Sequence, residues 1–160
     1  ENIDALKLVS DHVPFPIATG ERFLTRWDFR EVLEKQAAAY IQPDTSHVGG
    51  ISELKKVANM AEVYYVHVAP HCAIGPVALA AGLCVDAVVP NFLIQEQIDA
   101  SLGGGLLMED WSVVDGHIAL PTRPGLGFEI NPAEAERNIS YSEELGGEFF
   151  HPADGSVVDW

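Results

Sequence analysis

The feature that most constrains this chain is a repeat. Three times in the first hundred residues a short apolar run ends in a polar residue and gives way to an amphipathic helical pattern, and a fourth apolar run follows. Phe15-Pro16-Ile17-Ala18-Thr19-Gly20-Glu21 is the first run. Behind it, Phe29, Val32, Leu33 and Ala37 recur at helical spacing, with Thr25 as N-cap and Asp28 in the capping-box position. Ala39-Tyr40-Ile41-Gln42-Pro43-Asp44 is the second, followed by the loop Thr45 to Gly50 and a helix with Ile51, Leu54, Val57, Ala58 and Ala61 on one face. Val66-His67-Val68-Ala69-Pro70-His71 is the third, followed by a small-residue helix over 76–83. The fourth strand is read over 87–94, ending at Gln95-Glu96. Residues 2–10 read as the end of a preceding helix.

Apolar strands alternating with helices require a parallel sheet covered by helices, because a parallel connection needs a crossover. A unit of about 25 residues suits both a TIM-type barrel and an open doubly wound sheet. No G-x-G-x-x-G follows any of the strands, which removes the main signature of the open-sheet alternative. The barrel is the predicted fold. Residues 1–100 are expected to form a partial (β/α) barrel, its last four strands. Residues 101–160 are expected to form a tail, with a Gly-rich break at Ser101 to Gly105, a hairpin turning at Asp115-Gly116, a Pro/Gly loop over 121–127 and a short helix over 132–137.

Charge narrows the partners. Nine basic residues against 24 acidic ones leave a formal net charge of -15, a field that repels phosphate backbones and argues against nucleic acid. The longest apolar run, Val77 to Val89, is interrupted by Asp86 and is too short to span a bilayer, so no membrane role is expected. Cys72 and Cys84 show neither metal-ligand spacing nor a disulfide framework. With no signal-peptide pattern at the start, a cytoplasmic setting is the expectation.

Glu21, Asp44, His71 and Glu96 stand at the ends of the four strands, separated by 23, 27 and 25 residues. In a parallel barrel such positions open onto one rim, where the active sites of these barrels lie. A lone strand-end acid is commonly a solvated loop residue, but four at one recurring offset form a candidate site. Asp44 and His71, on adjacent strands, can pair so that the carboxylate fixes the imidazole tautomer and makes His71 a proton acceptor. Glu21 offers a hard oxygen ligand suited to Mg²⁺. Glu96 could donate a hydrogen bond to a substrate oxygen if partial burial raised its pKa. His47 is close enough to Asp44 to reach the rim, as a substrate contact or as a residue ordering the loop. Gly49-Gly50 reads as an anion site or as a turn, the turn being simpler.

Three segments carry a resemblance: 16–22, Gln42-Pro43-Asp44-Thr45-Ser46-His47-Val48-Gly49-Gly50-Ile51, and Ala69-Pro70-His71-Cys72-Ala73-Ile74-Gly75-Pro76. With Asn91 to Gln97 and Pro124 to Gly127, they resemble the enolase superfamily, mandelate racemase group, and within it the galactonate dehydratases. The resemblance implies the C-terminal half of a modified (β/α)7β TIM-type barrel, strands five to eight, with a tail that packs on a capping domain absent here. It implies Glu21 as a Mg²⁺ ligand, Asp44 and His71 as the proton-abstracting dyad, and Glu96 as the group stabilising an enediolate. The implied reaction is dehydration of an acid sugar, D-galactonate, to its 2-keto-3-deoxy product, in a homo-oligomer. Two metal ligands and a general acid of that pattern have no counterpart in these residues, so the isolated chain is expected to be inactive. Where relatives are expected to carry His, this chain has Cys84. A racemase or epimerase of a 2-hydroxy acid, and a non-catalytic barrel fragment, are the alternatives.

Overall fold

The computed structural model describes residues 2–98, 102–109 and 111–138. Helix α1 (Ile3–His12) starts at Asn2, whose side chain accepts from the Ala5 amide at 3.0 Å. Strand β1 (Ala18–Thr19) leads to α2 (Arg26–Lys35), where Asp28 Oδ2 reaches back to accept from the Thr25 amide at 2.9 Å, the predicted capping box. Strand β2 (Tyr40–Ile41) leads to α3 (Ile51–Val63), and β3 (His67–Val68) to α4 (Pro76–Asp86).

The strands pair in parallel in the order β1-β2-β3, with Ala18 opposite Tyr40 and Tyr40 opposite His67. A fourth extended segment continues the series beyond β3. Phe92 bridges Val68 in parallel, the Val68 amide donates to Asn91 O at 2.9 Å, and the Leu93 amide donates to Val68 O at 2.8 Å. Spatial order follows chain order with no reversal. That is the arc of a barrel, since a doubly wound sheet reverses direction at its switch point.

The helices cover one face of this arc. Phe29, Val32 and Leu33 of α2 and Leu54, Val57, Ala58 and Ala61 of α3 are buried with Ile41 and Val68 of the strands. Gly20 marks the joint between β1 and α2. Its φ is +128°, and a Cβ there would lie 2.6 Å from the Phe29 ring, so only glycine allows the ring to sit against the strand end. Asn91 adds a polar tie, its amide nitrogen donating to the carbonyls of Ala58 and Val66 at 3.0 Å each.

Three local expectations change. The helix after β3 continues to Asp86 rather than ending near Leu83, and Ala87 and Val88 form a turn, so only the segment around Phe92 of the predicted fourth strand pairs. The helix runs through Gly82, which is buried within it, and ends at Asp86, four residues before Pro90. Ile51 is 40% exposed because it opens α3, before the helix meets the sheet. Helix α1 runs on to His12.

In the C-terminal part, Leu102, Trp111 and Ile118 pack on a second cluster of Cys72, Leu79 and Leu83. The hairpin forms as read: Val114 and His117 bridge antiparallel, and Asp115 and Gly116 both have positive φ (51° and 76°). Arg123 pairs with Glu109 and Glu129, holding the Pro/Gly loop closed beside the Leu107–Ile130 bridge. Helix α5 spans Pro132–Asn138. Ser101 of the Gly-rich break and the tail from 139 onward, His151 included, lie outside the described residues. Among the described residues no helix is long and apolar enough to cross a membrane, and neither Cys72 nor Cys84 forms a disulfide.

Candidate active site

Each strand end delivers one polar side chain to the same rim. Pro43 cannot donate to a ladder, so β2 ends ahead of it and Asp44 turns inward. Asp44 is 0% exposed, and its buried carboxylate is fully engaged: Oδ1 accepts from the Ser46 amide at 2.7 Å and the His47 amide at 3.3 Å. Oδ2 accepts from His71 Nδ1 at 2.8 Å. Asp44 and His71 also face each other as an isolated parallel bridge, so the backbones set the register of the side-chain pair.

This hydrogen bond decides the tautomer. An ionised carboxylate only accepts, so Nδ1 carries the proton and Nε2 of the neutral ring carries the lone pair. Nε2 lies 3.6 Å from Glu21 Oε2. The ring is therefore flanked by two carboxylates, one buried and one 54% exposed.

Glu96 reaches the rim from the other side of β3. Its amide donates to Pro70 O at 3.0 Å, next to His71, and its Oε2 accepts from Gln42 Nε2 at 3.0 Å. It is exposed, not partly buried as the sequence suggested, because no described residue covers that side of the rim. All four predicted residues thus meet at one end of the sheet. His71 is the centre, Asp44 and Glu21 touch its two nitrogens, and Glu96 is tied to the neighbouring strands through Gln42 and Pro70.

Two contributors were not singled out from sequence. Gln42 links the second strand to Glu96, and Gln95 Nε2 donates to Pro70 O at 2.9 Å, bracing the strand that carries His71. A glutamine inside a strand has no signature of its own; only the adjacency of strands reveals what it meets. For His47 the geometry favours loop ordering, since Nδ1 donates to the Glu21 carbonyl at 2.9 Å and its backbone caps Asp44. Gly49 and Gly50 both have positive φ, as a turn requires.

Glu21 presents the hard oxygen that Mg²⁺ prefers. Among the described residues no group of three or more His, Cys, Asp or Glu side chains gathers around a possible ion. Among the described residues Glu21 is therefore a candidate ligand with no coordination shell around it.

Comparison with known proteins agrees with the fold. The family described as Enolase C-terminal domain-like matches residues 1–135. The D-galactonate dehydratase of Ralstonia pickettii (strain 12J) is 40% identical over 168 residues, covering 100% of this chain and 44% of that protein. The D-galactonate dehydratase of Xanthomonas campestris pv. campestris (strain B100) is 44% identical over 153 residues, covering 91% and 40%. Among solved structures, the mandelate racemase/muconate lactonizing enzyme-like protein from Roseovarius sp. TM1035 superposes with a TM-score of 0.83 at 42% identity, covering 89% of this chain and 36% of the other. The mandelate racemase/muconate lactonizing enzyme from Sulfitobacter sp. gives 0.81 at 42%, covering 86% and 35%. The chain spans less than half the length of each of these relatives.

Proposed function

Because this chain belongs to the Enolase C-terminal domain-like family and forms the later strands of its barrel, we propose that it carries the proton-abstracting side of an acid-sugar dehydratase site. His71 is the base, and D-galactonate is the first substrate to test. The observation that carries the reading is the buried Asp44–His71 pair, which leaves Nε2 as a lone pair on the rim. The names of the Ralstonia and Xanthomonas relatives support the substrate class.

The proposed chemistry follows from the tautomer. Nε2 of His71 takes the proton from the carbon beside the substrate carboxylate, and the C–H electron pair moves into that carboxylate to give an enediolate. The imidazolium is stabilised by Asp44 on one nitrogen and Glu21 near the other. Glu96, held through Oε2 by Gln42, is proposed to face the substrate oxygen where charge gathers, a donor role it can take only once bound substrate covers the exposed carboxyl. Collapse of the enediolate expels the 3-hydroxyl as water with a proton from a general acid, and the enol that remains becomes the 2-keto-3-deoxy acid. Glu21 is proposed as one ligand of Mg²⁺, which when bound supplies positive charge beside the substrate carboxylate. The remaining ligands and the general acid would come from residues outside those described. A homo-oligomer is proposed as well, since the fourth segment shows no outer strand partner among the described residues and an open strand edge needs cover.

The test uses the longest natural polypeptide carrying this sequence, supplied with Mg²⁺ and a panel of acid sugars, with 2-keto-3-deoxy product as the readout. His71→Asn should lower kcat on galactonate by about 10²–10⁴-fold. Asp44→Asn should fall in the same range by releasing the tautomer. Turnover that survives His71→Asn removes His71 as the base. Epimerisation without water loss would identify the racemase alternative.

A further inference from the structure

Between α4, the fourth extended segment and the hairpin lies a cavity of about 590 Å³ lined by none of the four rim residues, although Gln95 in its wall also braces the strand that carries His71. Its walls are largely apolar, with Leu83, Phe92, Ile94 and Ile118 among them, and Asp86 stands at the end of α4 as its one carboxylate. Asp86 is 9% exposed, and neither of its oxygens has a hydrogen-bond partner among the described residues. Two further buried acceptors line the same cavity, Gln95 Oε1 and Gln97 Oε1, each without a hydrogen-bond partner among the described residues. The orientation of Gln95 is not arbitrary. Its nitrogen donates to the carbonyls of Pro70 and Glu96, so the unpartnered atom is the oxygen.

Every unsatisfied atom of this set is an acceptor, and one residue carries formal negative charge. A buried carboxylate left alone is costly, and native proteins pair such groups. Burial pushes the Asp86 carboxyl up to about 7, and His117, which also lines the cavity, turns its Nδ1 to the Asp115 carbonyl and not to Asp86. The complementary ligand has donors only, a positive charge and an apolar body to meet the walls. We propose that this cavity binds an organic cation, a guanidinium or ammonium group on a short apolar stem, with Asp86 as its counter-ion and the two glutamine oxygens as further acceptors. An inorganic divalent cation fits less well, because it takes six or more oxygens and gains nothing from apolar walls. The site is independent of the dehydratase reading, and so is its test.

That test is calorimetric titration of the full chain with n-butylguanidinium at pH 8 and constant ionic strength, with Ca²⁺ titrated separately. One-to-one saturable binding is expected, weakened at least about tenfold by Asp86→Asn, which keeps the side-chain shape and removes the charge. Gln97→Leu, which removes one acceptor and leaves α4 intact, serves as the second variant and should weaken binding in the same direction. Stoichiometry and sensitivity to these variants separate the site from diffuse attraction to an acidic surface. Absence of saturable binding, equal affinity in Asp86→Asn, or preference for Ca²⁺ would each overturn the proposal.

Discussion

At the scale of single residues, two buried aspartates show how environment assigns a role. Asp44 and Asp86 are both shielded from water, yet Asp44 accepts three hydrogen bonds, two from backbone amides and one from an imidazole, while Asp86 accepts none among the described residues. Hydrogen bonds to the ionised form favour charge, and desolvation without them opposes it. The consequence for stability has a definite sign. The folded-state pKa of Asp86, about 7, lies above that of an unfolded chain, so the native state holds the proton more tightly. Its favourable contribution is complete below the ordinary carboxylate range and is lost as pH rises toward and through about 7. Relative to wild type, Asp86→Asn should therefore be more stabilising at pH 8 than at pH 5, by on the order of 2 kcal/mol. Urea unfolding at the two pH values reads this directly. An equal difference at both would mean that Asp86 is not desolvated in the fold.

The joints between elements position the rim. β1 turns toward α2 at Gly20, where the Phe29 ring occupies the space a Cβ would need, and Glu21 follows immediately. Gly20→Ala should cost about 1–3 kcal/mol from overpacking, with added strain from its positive φ, measured as a lower urea midpoint with little change in m. A midpoint unchanged from wild type would show that the ring has room to move. The elements themselves were largely legible in the sequence. The apolar spacing of α2 and α3, the Thr25–Asp28 box and the Asp-Gly hairpin are local signals, and the structure has all of them. The fourth strand was less so. Ala87, Val88 and Val89 are as strand-like in composition as Leu93 and Ile94, and only the reach of Val68 to Asn91 and Leu93 decides which residues pair.

For the molecule as a whole, charge is the dominant global property. A net charge of -15 on 160 residues repels itself in the compact state. Adding NaCl from low ionic strength to about 0.5 M should raise Tm, because screening acts on long-range repulsion more than on the short buried Asp44–His71 pair. A Tm that falls with salt would place net attraction, not repulsion, among the surface charges. The sequence alone determined the barrel-type order of strands and helices and the four strand-end residues, since a repeat of about 25 residues brings equivalent positions to one end of a parallel sheet whatever the details of packing. Only tertiary structure decided that Asp44 meets Nδ1 of His71, that Glu21 meets Nε2, that Gln42 and Gln95 brace the strands between them, and that Asp86 is left unpaired beside a cavity. Spacing along a chain specifies which end of the fold a residue reaches. Which donor it faces there depends on distances of about 3 Å between residues 25 to 54 apart in sequence, and no local pattern encodes them.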